Sequence, residues 1–462
     1  METVITEAGA AVGAAAPAAT AGISAAIARF VAAADARVFP PSAREQARLS
    51  LLDWSAVAVA GAGEPVSRIV REMLAEEAGT PESTVLGALY KLPARAAALA
   101  NGTTAHALDY DDTHFGFTGH PSAPVIAAAL ARAEKSGVGG AALLDAILVG
   151  AEATCRIGRW LGKAHYERGF HQTATSGSFG AAAACARLMG LDEERVRHAF
   201  GIASTRSSGL KSQFGTMGKP YHAGMAAANG VEAVSLAARG FVSRPDGIEC
   251  KQGFAGTHDG AGGDPRSILE GLGREFQFER VQYKYHACCH GTHAALEALL
   301  AIRRQSDIAP AAVERVVITV HPQWLQVCNI ANPASGLEAK FSYRFTAALA
   351  LAGMDTGALA TFADEICRRV DLIALRDKVS VETDPAMAEM AAAIRLQTAA
   401  GTFTRAFDLE SPAPQGQRDK LIAKARSLLG PARASALWTA ISDLENRPAA
   451  AFVAVLADAV TH

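Results

Sequence analysis

Residues able to move protons are concentrated between positions 106 and 122. Three histidines and three carboxylates fall within fifteen residues: His106, Asp109, Asp111, Asp112, His114 and His120. Imidazole titrates near neutral pH and a carboxylate can orient it, so this composition is typical of acid–base chemistry at a helix end. Two other interpretations stay open: a solvated loop whose aspartates cap turns, and a metal site. No zinc or calcium ligand spacing is matched, and we predict a site without metal.

Two further positions are candidates for holding an anion. His171 is followed by a run of small polar residues, 172–176, which is typical of a helix N-terminus with free N–H groups. Lys219 lies among glycines just before Pro220, and proline suits a first helical turn. An isolated lysine is usually a solvated surface charge. One that precedes an apolar helix in this way is a better candidate for binding a carboxylate.

A fourth polar group surrounds Lys284. His286, His290 and His293 follow it at helical spacing, which could indicate a metal-binding face. Because no acidic ligand lies nearby in the sequence, we favour a structural or substrate-facing start of a helix. We predict that this helix runs from residue 286 to 304.

Generic cofactor motifs are not matched. The glycine-rich segment 137–142 resembles a dinucleotide loop, but such a loop follows a strand, and the preceding residues have a helical pattern. We interpret it as a turn between two helices and predict that no cofactor is required.

Composition excludes several classes of protein. The 462 residues are 50% apolar and 19% charged, with a formal net charge of −2, so no basic surface for nucleic acid is expected. The first residues carry no Lys or Arg, unlike a secretory signal, and no apolar run of about 20 residues predicts a membrane span. Seven cysteines without a C-x-x-C pair indicate reduced thiols. We therefore expect a cytoplasmic protein that binds neither membranes nor nucleic acid.

The pattern along the chain predicts a mainly α protein. Ala-rich, apolar stripes separated by Gly and Pro favour a large helical domain, whereas alternating β-branched residues at 313–320 indicate a strand. Shorter strands are predicted at 378–381 and 393–396, with a hairpin to 403–409. We expect a disordered leader at 1–23, a helical domain at 24–279, an inserted α+β lid at 280–411, and helices at 412–462 that rejoin the helical domain.

The polar clusters described above, and their order along the chain, resemble those of the MmgE/PrpD family. This family includes 2-methylcitrate dehydratase, cis-aconitate decarboxylase and iminodisuccinate epimerase. The similarity covers nearly the whole chain after the leader. It is carried by the motifs Asn101-Gly102, His106–Thr113, Gly119–Ser122, Gly169–His171, Lys219–Gly224 and Lys340–Ser342. The resemblance implies a helical domain with a small α+β lid, and usually a homodimer.

Site roles are also implied by this resemblance. Catalytic roles are expected for His120, His171, Asp109 and Lys219, and substrate-binding roles for Thr113, Lys284, His222 and Tyr110. A tyrosine that the family keeps after the first lid strand is replaced here by Trp324-Leu325.

The chemistry expected from these residues is proton transfer next to a carboxylate. Lys219 and Lys284 would bind substrate carboxylates and stabilise an enolate-like transition state, while His120 and His171 would donate and accept the proton. A dehydratase or decarboxylase of a small di- or tricarboxylate, such as 2-methylcitrate or cis-aconitate, is predicted. The alternatives are an epimerase of an iminodisuccinate-like substrate and a carboxylate-binding protein without activity.

Overall fold

The computed structural model describes residues 22–258, 264–410 and 416–461. The predicted leader lies outside these residues up to position 21, and Ile23 already belongs to the first helix. The first residues of the segment predicted at 412–462, up to position 415, also lie outside them. Among the described residues, no helix is both long enough and apolar enough to cross a bilayer.

The part of the chain before the sheet is helical, with buried small residues on nearly all sides of its central helices. In α7, every residue from Gln172 to Ala186 is buried, which the high Ala content permits because small side chains let helices approach closely. The helices are α1 Ile23–Ala33, α2 Pro41–Gly61, α3 Pro65–Glu77, α4 Ala94–His106, α5 Ser122–Ser136, α6 Gly140–Arg168, α7 Gln172–Leu188, α8 Glu193–Ser204, α9 Gly218–Ala237, α10 Phe254–Thr257 and α11 Pro265–Leu269. A small antiparallel pair, β1 Ser83–Thr84 and β2 Lys91–Leu92, was not predicted.

Helices α4 and α9 approach at two glycines. A Cβ atom on Gly102 would lie 2.9 Å from the Cα atom of Gly224, and one on Gly224 would lie 2.3 Å from the carbonyl oxygen of Leu99. Any larger residue would therefore force the helices apart. This contact matters for the site, because α4 ends at His106 and Lys219 lies in the first turn of α9.

A second core surrounds a four-stranded sheet of order β4-β3-β5-β6, and we call residues 286–409 the sheet region. Strand β3 runs parallel to β4 and antiparallel to β5, which pairs with β6 in a hairpin. Alternate residues of β5, among them Ala392, Ile394 and Leu396, are buried. The elements are α12 His293–Gln305, β3 Val313–Val320, α13 Gly336–Ala339, α14 Tyr343–Leu351, α15 Val370–Arg376, β4 Val379–Thr383, β5 Ala391–Thr398 and β6 Gly401–Asp408. The predicted strands and hairpin are confirmed.

The last three helices pack against helices from the first part of the chain. They are α16 Gln417–Leu429, α17 Pro431–Ser442 and α18 Ala449–Thr461, and they contact α2 and α5. Nζ of Lys424 in α16 lies 2.5 Å from Oδ1 of Asp53 in α2, and both side chains are buried.

Two predictions about helix starts are wrong. Residues 286–289 are not helical; a 3-10 turn begins at His290 and α12 at His293, so the three histidines do not share one helical face. Lys219 was expected in the loop before a helix, but α9 already begins at Gly218. The turn predicted between helices at 137–142 is confirmed, because α5 ends at Ser136 and α6 begins at Gly140.

Candidate active site

Asp109 joins two lysines that are distant in the sequence. Its Oδ2 lies 2.7 Å from Nζ of Lys219, and its Oδ1 lies 3.1 Å from Nζ of Lys284. The residue has a φ of +50°, an uncommon left-handed conformation that Asp tolerates better than most residues. The Asp109 side chain is 46% exposed, whereas that of Lys284 is 6% exposed. A small molecule can therefore reach the carboxylate and the ammonium groups beside it.

The two ammonium groups determine the charge state of Asp109. Burial favours the neutral acid, but the charges of Lys219 and Lys284 outweigh it and hold the pKa of Asp109 well below its usual range. In return, Asp109 and Asp111 overcome the effect of burial on Lys284 and raise the pKa of its ammonium group. Asp109 and Lys284 are therefore both charged at neutral pH in this arrangement.

Asp111 connects two imidazoles. Its Oδ1 lies 2.8 Å from Nδ1 of His106, and its Oδ2 lies 3.3 Å from Nδ1 of His120. Nε2 of His120 lies 3.4 Å from Oδ1 of Asp109. The rings of His106 and His120 meet edge to face with centroids 4.5 Å apart. Asp111 is thus hydrogen-bonded to His106 and contacts His120 without a hydrogen bond, and His120 faces the carboxylate that both lysines contact.

Burial and neighbouring charges together set the pKa values of His120, Asp111 and Asp112. It lowers the pKa of His120 to about 4, against the opposing effect of Asp111. Asp111 has a pKa well below its usual range, because His106 and His120 overcome the effect of burial. The neighbouring Asp112 has the opposite shift: burial and the charge of Asp53 raise its pKa well above the usual value. Asp111 is therefore ionised and Asp112 neutral at pH 7.

His171 lies directly before α7, as the small polar run after it predicted. Its ring stacks on His106 with centroids 6.0 Å apart, and Phe214 packs edge-on against its other side. Nδ1 of His171 lies 3.2 Å from Nδ1 of His222, which permits a hydrogen bond only if one of the two nitrogens is protonated. Burial, and then the charge of His106, lower the pKa values of both residues.

Thr113 contacts a histidine that had no assigned role. Its Oγ1 lies 2.7 Å from Nδ1 of His290, and Nε2 of His290 is buried without a hydrogen-bond partner in the part of the chain that the structure describes. Burial lowers the pKa of His290 well below its usual value. His290, at the start of the sheet region, and Lys284, just before it, thus contact the loop after α4.

Tyr110 does not join this group. Its hydroxyl donates a 3.1 Å hydrogen bond to the carbonyl oxygen of Gly357, its ring lies under Nζ of Lys424, and it is 1% exposed. The geometry places Tyr110 at a contact with the sheet region, because its side chain points away from that of the adjacent Asp109.

Among the described residues, one group could hold a metal ion: His106, Asp109, Asp111 and His120 offer ligand atoms within 4.8 Å of one another. A cation there would meet the ammonium groups of Lys219 and Lys284, which already contact both oxygens of Asp109. Repulsion from these two ammonium groups disfavours a cation at this position. The absence of a bound metal remains a prediction.

The histidines after Lys284 have an acidic partner that the sequence did not reveal. Nε2 of His286 lies 3.7 Å from Oε1 of Glu297, which also contacts Nζ of Lys420 at 2.8 Å. Glu297, Lys420 and His293 border a cavity of about 220 Å³, which Phe407 also lines. Asp109, His120, Lys219 and Lys284 do not line it.

Comparison with known families agrees with the motifs noted in the sequence. The model described as the MmgE/PrpD N-terminal domain matches residues 25–263, and that of the MmgE/PrpD C-terminal domain matches residues 286–445. The chain belongs to the MmgE/PrpD family. Lys284 lies between the two matched segments, whereas Asp109, Asp111, His120 and Lys219 lie in the first.

Individual relatives of this MmgE/PrpD protein are known as cis-aconitate decarboxylases. The chain is 30% identical to a cis-aconitate decarboxylase-like protein of Aspergillus oryzae over 57% of its own length and 58% of the relative's. It is 28% identical to the cis-aconitate decarboxylase of Mus musculus over 72% of its own length and 70% of the relative's. It is 31% identical to the cis-aconitate decarboxylase of Aspergillus terreus over 58% and 57%, respectively. The chain therefore matches less than two thirds of the length of two of these three relatives.

Proposed function

We propose that this protein is a cofactor-independent lyase that removes CO2 from a small unsaturated tricarboxylate such as cis-aconitate. The proposal rests on one observation: Lys219 and Lys284 both contact the carboxylate of Asp109. The neutral imidazole of His120 lies beside the same carboxylate. Two ammonium groups around an accessible carboxylate form a site for anions. The similarity to cis-aconitate decarboxylases supports the choice of reaction.

Binding of the substrate begins with its carboxylates. Asp109 already holds the side chains of Lys219 and Lys284 in place. An incoming carboxylate can therefore form charge-assisted hydrogen bonds with them, and neither lysine has to become ordered on binding. Preorganised positive charge also stabilises the negative charge that develops when the C–C bond breaks. Asp109 holds the two lysines apart at a fixed distance, which makes it a positioning residue in this proposal.

The reaction consumes one proton. As the C–C bond breaks and CO2 leaves, its electron pair moves into the unsaturated system and forms a dianionic enolate-like species. Carbon next to a remaining carboxylate then takes a proton. His120 and His171 are the candidate groups for relaying this proton from water, because a neutral imidazole can pass on its N–H proton while its other nitrogen takes one up. Asp111 contacts His120 on the side away from Asp109.

A single NMR experiment tests the proposal. The purified full chain is incubated in D2O with cis-aconitate, 2-methylcitrate or an iminosuccinate, and proton spectra are followed over time. We expect vinylidene signals and one deuterium in the product from cis-aconitate, together with release of CO2. Loss of water from 2-methylcitrate would indicate that the protein is a dehydratase and not a decarboxylase. Exchange of the α-proton in the iminosuccinate, without loss of any group, would indicate an epimerase. No change with any of the three would contradict the proposal.

A further inference from the structure

His222 and His171 are joined through the same nitrogen of each ring. Nδ1 of His222 lies 3.2 Å from Nδ1 of His171. His222 belongs to α9, three residues after Lys219, and His171 lies directly before α7, which packs against α9. Gly209 touches both: its carbonyl oxygen accepts a 2.9 Å hydrogen bond from the backbone N–H of His171, and a Cβ atom on it would lie 3.3 Å from Nδ1 of His222. The contact between the two rings is therefore held by the packing around it.

This contact couples the positions of the hydrogens on the two rings. Two nitrogens 3.2 Å apart can share one hydrogen, because two N–H groups would repel each other and two bare nitrogens would form no bond. Burial lowers the pKa values of both residues, so both imidazoles are neutral at pH 7 and carry one N–H each. If His171 carries its hydrogen on Nε2, His222 must therefore carry its own on Nδ1.

Nε2 of His171 is the nitrogen left for a substrate, because His222 occupies Nδ1. The ring of His171 stacks on His106 with centroids 6.0 Å apart and meets the ring of Phe214 edge to face at 5.0 Å. Nζ of Lys219 lies 5.2 Å from the centroid of the same Phe214 ring. His171 thus lies beside a lysine that binds substrate in the proposed function.

The two groups that flank His120 have no proton to give. Nε2 of His120 lies 3.4 Å from Oδ1 of Asp109, and its Nδ1 lies 3.3 Å from Oδ2 of Asp111. Both carboxylates are ionised. A neutral imidazole that released its hydrogen without taking up another would become an imidazolate anion, which is far too basic to form near pH 7. His171 differs because its partner at Nδ1 is a second imidazole that can carry a hydrogen.

We propose that His222 is a positioning residue for His171: it keeps the hydrogen of His171 on Nε2 and replaces that hydrogen when His171 donates it to the substrate. The carbon takes the proton from Nε2 of His171, the N–H bond at Nδ1 of His222 breaks, and its proton passes to Nδ1 of His171. Nε2 of His222 takes a proton from water, so both rings stay neutral. This inference rests on the proposed function in taking the reaction to consume one proton.

The starting tautomers are restored after the product leaves. Nε2 of His171 takes a proton from water, the proton on its Nδ1 returns to Nδ1 of His222, and Nε2 of His222 releases a proton to water. This reset neither adds nor removes a proton overall. Exposure is consistent with this direction of supply, since His222 is 7% exposed and His171 only 2%.

An asparagine at position 222 separates the hydrogen bond from the proton transfer. The amide of His222→Asn can still bond to Nδ1 of His171, but it cannot take up one proton while giving another. We expect kcat for cis-aconitate to fall about 10²-fold or more, as for loss of a general acid. KM should change less than about twofold, because Lys219 still binds the substrate. Activity near that of the original protein would show that the hydrogen bond is sufficient and would overturn the inference.

His198→Asn is the matched control for this substitution. Nδ1 of His198 lies 3.0 Å from the carbonyl oxygen of Ser243, outside the candidate active site, so kcat should stay unchanged. Thermal unfolding of each variant shows whether a loss of activity comes from misfolding.

His171 and His222 should behave as one unit in kinetics. We expect His171→Asn to lower kcat at least as much as His222→Asn. The double variant should be no worse than His171→Asn alone, because removing either ring ends the same transfer. Losses that multiply in the double variant would indicate independent roles and would overturn the inference.

The hydrogen positions can also be measured without turnover. In the full chain labelled with ¹⁵N-histidine, long-range ¹H–¹⁵N spectra report which ring nitrogen carries the hydrogen, and the variants His171→Asn and His222→Asn identify the signals. We expect the hydrogen on Nε2 of His171 and on Nδ1 of His222. The reverse arrangement would overturn the inference whatever the activity. If the expected tautomers are found and cis-aconitate is not decarboxylated, the proposed reaction fails, and the kinetic comparison is made with the substrate that exchanges a proton in D2O.

Discussion

Nζ of Lys219 lies 2.7 Å from Oδ2 of Asp109, which connects the first turn of α9 to the loop after α4. The contact depends on the close approach of α4 and α9 at Gly102 and Gly224. Lys284 approaches the same carboxylate from the segment just before the sheet region. A single carboxylate therefore sets the distance between two cations that come from different parts of the fold.

Replacing Lys219 by Met should abolish most of the activity without unfolding the protein. Loss of one preorganised charge-stabilising group typically lowers the rate by about 10²- to 10³-fold, so kcat/KM for cis-aconitate should fall by that factor. Steady-state kinetics measure the fall, and circular dichroism checks the fold. Lys163→Met is the control, because Lys163 is 74% exposed and pairs with Glu167 in its own helix. Near-original activity in Lys219→Met would contradict the assigned role.

Two adjacent carboxylates allow a sharper comparison. Asp111 is ionised and contacts His120, whereas Asp112 is held neutral by burial and accepts a hydrogen bond from the hydroxyl of Ser122. An amide resembles a neutral carboxyl group more closely than an ionised one. We therefore expect Asp111→Asn to lower kcat by about 10- to 100-fold, the usual effect of removing an orienting partner, and Asp112→Asn to change it far less.

The comparison is read from kinetics and pH dependence together. In Asp111→Asn the loss of the negative charge should lower the pKa of His120 further, which shifts the acidic limb of the pH profile. A purely structural role would reduce the amount of folded enzyme and leave the profile in place. Equal losses in both variants would show that the charge of Asp111 is unimportant.

Local patterns in the sequence were sufficient for most of the fold. The strand at 313–320, the hairpin between β5 and β6 and the helix after His171 follow from β-branched alternation and from small polar residues at a helix start. The start of α12 was misplaced because histidines at helical spacing occur in a non-helical segment, 286–289.

The site was predictable as a set of segments but not as a geometry. His106 and Asp111 were visible in the polar cluster, yet their 2.8 Å contact depends on how the chain turns after α4. Thr113 meets His290 across 177 positions, and no local pattern contains that distance. The position of the Tyr110 side chain was equally hidden in the sequence: Asp109 contacts the lysines, while the adjacent Tyr110 donates to the carbonyl oxygen of Gly357.

The pH dependence of kcat/KM should have its acidic limb far below the usual pKa of histidine. His120 has a pKa lowered to about 4 by burial, so it is neutral at pH 7 and becomes protonated only near that lower value. If neutral His120 accepts or relays the proton, activity stays constant as the pH falls to 6 and declines as it approaches 4. Rates are plotted against the concentration of fully ionised substrate, which removes its own titration. An acidic limb near 6.5 would show that another histidine controls the step.

Chelation should leave the activity unchanged. Asp109 is one of four potential metal ligands, and both of its carboxylate oxygens already contact an ammonium group. Lys219 and Lys284 would therefore compete with a metal cation for these oxygens. We expect full activity after exhaustive dialysis against EDTA, and no stimulation by added divalent ions. Elemental analysis of the dialysed protein is the control for complete removal. Activity that is lost on chelation and restored by one divalent ion would establish a metal site instead.

Removing Lys424 should destabilise the protein strongly at alkaline pH and less at acidic pH. Lys424 and Asp53 form a buried pair between α16 and α2, and breaking such a pair from one side costs about 3–5 kcal/mol. Burial raises the pKa of Asp53 to about 6 even with the lysine present. Its folded pKa is higher than the value of about 3.9 in the unfolded chain. Protonated Asp53 therefore favours folding at low pH, and this contribution is lost as the pH rises through the folded pKa.

The free energy of unfolding, measured by urea denaturation, should show this dependence in Lys424→Met. At pH 8 the isolated Asp53 carboxylate is buried without a cation, so the full loss is expected. At pH 5 the carboxyl group is protonated in the folded state, and the difference from the original protein should shrink by more than half. The double variant Lys424→Met/Asp53→Asn is the control, because it removes the buried charge and should be more stable at pH 8 than Lys424→Met alone. A loss that is the same at both pH values, or a double variant no better than the single one, would mean that Lys424 stabilises the contact through packing on Tyr110 rather than through its charge.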